Sequence, residues 1–154
     1  MSYAVAYNKF KYGCFKGTYG DMSSNTIKVM LVTSTFVFDA TDTTIAAALS
    51  GGGELSCSGY TGGFGGSGRK TLGTKTITQD DALNRAMFGC ANITWTGIGT
   101  ADTYNAFVVF YEPGTAASDS DCIPISYHNV GTRVLDGGDE EIQVDSAEGL
   151  IQVV

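Results

Sequence analysis

His128 is the single histidine of this 154-residue chain, and it stands two positions after Ser126. With Asp121 or Asp145 to orient its ring, His128 could serve as a general base toward the Ser126 hydroxyl. The run Ser126-Tyr127-His128 builds no nucleophile elbow, however, and no Gly-x-Ser-x-Gly occurs. A lone histidine at a strand end is more often a packed or edge residue, so no catalytic role is expected of it. The segment Asp136-Gly137-Gly138-Asp139-Glu140-Glu141 gathers four carboxylates around two glycines. Calcium would want the Asp-x-Asp-x-Asp-Gly spacing with a distal Glu, which is missing. A solvated hairpin turn is expected there, with weak divalent-ion binding as the alternative. Paired carboxylates for glycoside hydrolysis would need a cleft with aromatic platforms, and the sequence marks none.

Gly63-Phe64-Gly65-Gly66-Ser67-Gly68 matches the dinucleotide pattern GxGxxG. That chemistry needs a strand before the glycines and a helix after them, so that pyrophosphate meets a helix N-terminus. Here the chain continues Arg69-Lys70-Thr71-Leu72-Gly73-Thr74, which reads as strand or turn. A phosphate loop fails as well, because Arg69 separates Gly68 from Lys70. Cys14, Cys57, Cys90 and Cys122 form no CxxC pair, so zinc or a redox dithiol is not indicated, and buried reduced thiols are expected. One histidine and no thiol pair leave no transition-metal set, and the residues call for no cofactor. Ile93 and Trp95 alternate onto one strand face, which is expected to be core; a carbohydrate platform is the sharper alternative.

A content of 43% hydrophobic residues fits a globular domain, whereas 16% charged is low. Glycine, threonine and serine take the place of the missing charge and favour strands and turns over surface helices. The net charge of −7 is uneven: residues 1–100 carry eight bases against six acids, and residues 101–154 carry Arg133 against ten acids. A broad basic face for nucleic acid is therefore not expected. The acidic half reads as a solvated surface, or as a complement to a basic patch on a partner or a neighbouring copy. No stretch approaches the apolar length of a membrane span. The N-terminus lacks a basic segment followed by an apolar one, so synthesis in the cytoplasm is expected.

The pattern predicts one domain over 1–154, mainly β, as an antiparallel β-sandwich or jelly-roll-like barrel with a short N-terminal helix. Strands are expected at Thr26–Ser34, Lys70–Thr78, Arg85–Phe88, Asn92–Trp95, Tyr104–Tyr111, Ile123–Tyr127, Glu141–Asp145 and Gly149–Val154. The first of these is apolar on both faces apart from Lys28, as in a strand buried on two sides. In the N-terminal segment 1–25, Ser2 could cap a helix from Tyr3 to about Phe15 that places Tyr3, Tyr7, Phe10 and Cys14 on one face. A helical turn or two is expected before Gly51-Gly52-Gly53. Residues 51–68 are half glycine and read as a mobile loop or arm whose large apolar groups are Tyr60 and Phe64.

These landmarks, taken in order, resemble a family of small virion proteins of tailed bacteriophages. The resembling stretches are Tyr7-Asn8-Lys9-Phe10, Asn25-Thr26-Ile27-Lys28-Val29-Met30-Leu31-Val32-Thr33-Ser34 and Ser58-Gly59-Tyr60-Thr61-Gly62-Gly63. Lys75-Thr76-Ile77-Thr78-Gln79-Asp80, Asn92-Ile93-Thr94-Trp95, Tyr104–Tyr111 and Val144–Ile151 continue the layout over nearly the whole chain. The resemblance implies a non-enzymatic structural component of the particle: a capsid decoration or cement protein on the capsid exterior that braces the major capsid protein. It further implies association with copies of itself as a homotrimer, and no nucleic-acid or membrane partner. Within the class, a neck or tail component is the alternative; from another class, a carbohydrate-binding β-sandwich using Trp95, Tyr104 or Tyr111. Interface residues expected on this reading are Tyr3, Tyr7 and Phe10, with Tyr60, Phe64, Arg69 and Lys70 on or beside the glycine-rich arm.

Overall fold

The computed structural model describes residues 4–153 of the chain. Tyr3, and with it the proposed Ser2 cap, lies outside the described residues.

The fold is mainly β, built of three antiparallel sheets. The largest has the order β1 (Val5–Ala6), β8 (Ile123–Val134), β7 (Thr103–Tyr111), β2 (Ile27–Val32) and β3 (Lys70–Thr71). A second joins β10 (Ile151–Val153), β5 (Arg85–Gly89) and β4 (Thr76–Asp80), and a third pairs β6 (Ile93–Trp95) with β9 (Glu140–Ile142). Two short helices, α1 (Asn8–Phe15) and α2 (Ile45–Ala48), complete the elements.

Strands β2 and β7 carry the core because alternate residues serve opposite faces. Ile27, Val29 and Leu31 of β2, with Phe107 and Val109 of β7, face one hydrophobic cluster. Phe88, Ile93, Trp95 and Ile151 of the two smaller sheets close over it, which gives the sandwich. Met30, Val32, Val108 and Phe110 point the other way and pack with Tyr7, Phe36, Ile45 and Cys122. The sheet is therefore buried on both faces, as the run Thr26–Ser34 predicts. Lys28, the one charged residue of that run, reaches Glu112 at 2.8 Å. Register shifts at Asn105 and Ile125 accommodate the long β7–β8 pair; such bulges bend a strand and re-aim its side chains.

Three departures from the sequence expectations have physical causes. The N-terminal helix starts at Asn8, because Val5 and Ala6 pair with Tyr127 and Ser126 of β8 instead. Tyr7 thus sits in extended backbone at the helix start, fully buried, and does not share a helical stripe with Phe10. The inward face of α1 is Phe10 and Gly13, and Cys14 is exposed; Gly13 is required because the Tyr19 ring occupies the space a Cβ would fill. The expected strand Lys70–Thr78 divides into β3 and β4, while β8 runs seven residues beyond Tyr127 to Val134.

The third departure is the glycine-rich arm, which is folded into the domain. Glu54 bridges to Val32, and Leu55 donates its N–H to the Leu31 carbonyl at 2.9 Å. Tyr60 is fully buried, and its hydroxyl accepts the Leu31 N–H at 2.9 Å. Gly68 adopts a φ of +111°, and a Cβ there would fall 2.5 Å from the Tyr60 ring. Glycine here allows backbone to lie flat against an aromatic face.

Tyr60→Phe should lower the unfolding free energy by about 1–2 kcal/mol, since it leaves the buried Leu31 N–H without a partner. Gly68→Ala, which meets both the ring and the strained backbone, should cost more. Urea denaturation midpoints of both variants against the parent check the order.

Candidate functional site

Arg69 has been drawn into the most connected polar cluster of the described residues. Its side chain is only 3% exposed. Nε and Nη2 donate to the two carboxylate oxygens of Glu54 at 2.8 and 2.7 Å, and Nη1 and Nη2 donate to the two oxygens of Asp119. The guanidinium also lies 5.4 Å from the centre of the Phe110 ring. Burial opposes its charge, but hydrogen bonds and ion pairs with Glu54 and then Asp119 outweigh that and hold its pKa above the ordinary value. A planar fork serving two carboxylates at once is arginine chemistry that lysine cannot reproduce. With all three of its nitrogens bonded to carboxylates inside the domain, this cluster joins the glycine-rich segment to the loop before β8. It performs a structural task.

Ser126 and His128 do meet. Ser126 Oγ lies 2.9 Å from His128 Nε2, and both residues are buried. The imidazole stacks on Phe107, its cross-strand partner, at 4.4 Å between centres and 11° between planes. Burial pushes its pKa down to about 4. Neither candidate orienting carboxylate reaches the pair: Asp121 accepts from the Ala117 and Ser118 N–H groups, and Asp145 from the Ala147 N–H. Beside His128 is a cavity of about 100 Å³, walled mainly by Phe107, Val130, Ile142, Val144 and Leu150. The pair satisfies polar groups within an apolar interior, which is the packed role expected from sequence.

The turn at 136–141 is solvated but is not the expected hairpin, since β8 and β9 on either side of it pair in different sheets, and its four carboxylates diverge. Asp136 accepts from the Gly138 N–H, Asp139 from the Gly97 N–H, Glu140 from the Tyr104 hydroxyl and Arg133, and Glu141 from Asn92 and Thr94. No group of three or more potential metal ligands occurs among the described residues. Of the aromatic rings a carbohydrate would need, Trp95 and Tyr104 are buried, and Tyr111 packs against the core. The thiols are free: Cys122 is buried, Cys57 and Cys90 are half-buried, and Cys14 is exposed, against the expectation that all four are enclosed.

The residues expected at an interface separate sharply. Tyr7, Phe10 and Tyr60 are buried within the domain, as is the Arg69 side chain, so this conformation does not present them to a partner. Burial raises the Tyr7 phenol pKa, with Asp42 adding to it, and its hydroxyl has no hydrogen-bond partner among the described residues. Lys70 is half-buried in β3. Among the described members of the set, Phe64, at 38% exposure, is the apolar one that remains accessible.

Two surface regions emerge that sequence reasoning did not single out. On α1, Tyr12 is 58% exposed and Phe15 is 95% exposed, with Lys9, Lys11 and Lys16 around them. The three-stranded sheet extends past the core and exposes Ile77 and Val153 along an open groove of about 520 Å³ beside Gln79 and Arg85. The signal for the first lay in the order of apolar residues in Asn8–Phe15. With the helix begun at Asn8, Phe10 and Gly13 turn inward, which forces Tyr12 and Phe15 outward. No helix among the described residues is long and apolar enough to cross a membrane. Comparison with protein-family models, with curated proteins and with solved structures returns no match.

Two outcomes test these assignments. Arg69→Leu should destabilise the fold by about 3 kcal/mol, because Glu54 and the partly exposed Asp119 lose their counter-charge; chemical denaturation measures it. His128 binds a proton less readily in the fold than in the unfolded chain. The unfolded chain therefore takes up protons first as pH falls, and stability drops between about 6.5 and about 4. His128→Gln should remove that share of the decline, so the gap between parent and variant stability narrows from pH 7 to pH 4.5 in parallel urea titrations.

Proposed function

We propose that this chain is a non-enzymatic structural protein of a tailed-bacteriophage particle, a capsid decoration protein that sits on the shell exterior and braces the major capsid protein. The observation that carries this reading is where the chain places its chemistry. Arg69, Ser126, His128 and the 136–141 carboxylates are engaged with neighbours in the domain, whereas Tyr12, Phe15 and Phe64 are held out from a rigid β scaffold. Aromatic side chains on a preformed surface are what association draws on, since they lose little conformational entropy and bury large area. The in-order resemblance to phage virion proteins supplies the particle. Many modest contacts repeated around a shell add through multivalency and resist the pressure of packaged DNA.

A carbohydrate-binding module would need an open ring at Trp95, Tyr104 or Tyr111, and the first two are enclosed. The neck-or-tail alternative differs in stoichiometry. Quantitative mass spectrometry of purified particles should find this chain at hundreds of copies, comparable with the major capsid protein, because an icosahedral shell repeats its sites on that order. About a dozen copies or fewer would move it to the neck or tail, and absence from particles would end the virion reading.

A further inference from the structure

Of the chain's nine lysines and arginines, Lys28, Arg69, Arg85 and Arg133 are paired with carboxylates. Lys9, Lys11, Lys16, Lys70 and Lys75 have no such pairing among the described residues, and the first three lie on or at the end of α1, which contains no acidic residue. At 100° per residue, Phe10 and Gly13 define the docked face of α1, and Lys11, Tyr12 and Phe15 project from the opposite one. Lys9 and Lys16 flank it, and the Lys16 ammonium stands 5.4 Å from the Tyr12 ring centre. The result is an aromatic centre with a cationic rim. Phe15 is 95% exposed and Tyr12 58% exposed on the same outward side of the helix, so the two rings stand together there.

The complement to this patch is on the same molecule, at the other end of its longest strand. The segment entering α1 is fixed to the start of β8: Val5 and Ala6 pair with Tyr127 and Ser126, and the Tyr7 N–H bonds the Ile125 carbonyl. Strand β8 then runs to Val134, and the acidic turn follows at once. Nine residues at roughly 3.3 Å each separate the two regions by about 30 Å. Asp136, Asp139 and Glu141 are exposed there, and their hydrogen-bond partners are neutral, so their charge is unbalanced.

We propose that α1 is a self-association surface: Tyr12 and Phe15, rimmed by Lys9, Lys11 and Lys16, dock head to tail on the Asp136–Glu141 turn of a second copy of this chain. Because donor and acceptor patches are different, the contact is heterologous and generates a closed ring when the rotation between copies closes. The charges steer the encounter and fix its direction, and the two rings supply the desolvated centre. The contact belongs to the isolated chain, so it stands or falls apart from the virion reading, which the copy number tests.

The experiment takes the purified chain through sedimentation velocity at low and high salt, followed by zero-length carbodiimide crosslinking of mixed light and heavy isotope-labelled protein. Expected are oligomers that dissociate as screening shortens from about 10 Å toward 3 Å. Light–heavy crosslinks should join Lys9, Lys11 or Lys16 to Asp136, Asp139 or Glu141. Phe15→Ser, or the triple change Lys9→Glu, Lys11→Glu, Lys16→Glu, should weaken association by about tenfold or more. Adding Asp136→Lys, Asp139→Lys and Glu141→Lys to the triple variant should restore it, since the poles are then exchanged. All these positions are exposed, and an unchanged thermal midpoint certifies the fold of each variant. A monomer at every salt concentration, light–heavy crosslinks that join the α1 lysines only to carboxylates outside the 136–141 turn, or association indifferent to the charge exchange would overturn the proposal. So would a triple variant that loses only binding to anionic vesicles or to nucleic acid.

Discussion

The outer edge of β2 is the constraint on which the rest of the domain depends. This strand is buried on both faces, so every N–H and C=O along it needs a partner in the protein. One edge is served by β7 from Ile27 to Val32. On the other, β3 reaches only Lys28 and Val29. The remainder is completed piecemeal: Leu72 donates to the Ile27 carbonyl, Leu55 to the Leu31 carbonyl, the Tyr60 hydroxyl receives the Leu31 N–H, and Gly53 receives the Thr33 N–H. The glycine-rich segment is in effect the missing length of an edge strand. Its glycines allow it to turn back on itself while staying close to β2.

That role explains why the chain tolerates a buried arginine. A segment rich in glycine loses much conformational entropy on folding and contributes few apolar contacts of its own. Arg69 ties its two ends together through Glu54 and fastens both to Asp119 in the loop ahead of β8. A buried ion pair is a modest source of net stability, since desolvation opposes the Coulomb gain, but it specifies one arrangement by penalising every other. Tyr60 belongs to the same arrangement, with its hydroxyl between the Leu31 N–H and Glu54. The residues that look most reactive in the linear chain are those that fix its geometry.

Once those groups are committed inside, the surface is left with a simple division. Acidic residues dominate the second part of the chain, and three of the five cations without carboxylate partners among the described residues lie on or at the end of α1 beside two exposed rings. Rigid strands hold these regions apart, so neither can relax onto the other. A scaffold of this kind suits a protein that works by being placed and held, and the phage-particle reading and the head-to-tail contact both draw on the exposed rings of α1, with Phe64 left to the first alone.

The amino-acid sequence by itself determined the elements whose residues have only one physical solution. Ile27–Val32 and Thr103–Tyr111 alternate apolar groups on both faces, so they become central strands, and Ile93 and Trp95 take the core face of β6. The packed role of His128 was legible for the same local reason, whereas the hairpin expected at 136–141 was not realised, because β8 and β9 join different sheets. Tertiary structure decided what depended on partners distant in sequence. Whether residues 51–68 are arm or edge rests on the unpaired backbone of β2. Whether the first helix begins at Tyr3 or Asn8 rests on β8 claiming Val5 and Ala6 as a strand. That two-residue pairing, invisible in the periodicity of the N-terminus, moved Tyr7 into the core and left Tyr12 and Phe15 outside. Hydrophobic pattern records which residues avoid water, but long-range hydrogen bonding selects which backbone they share.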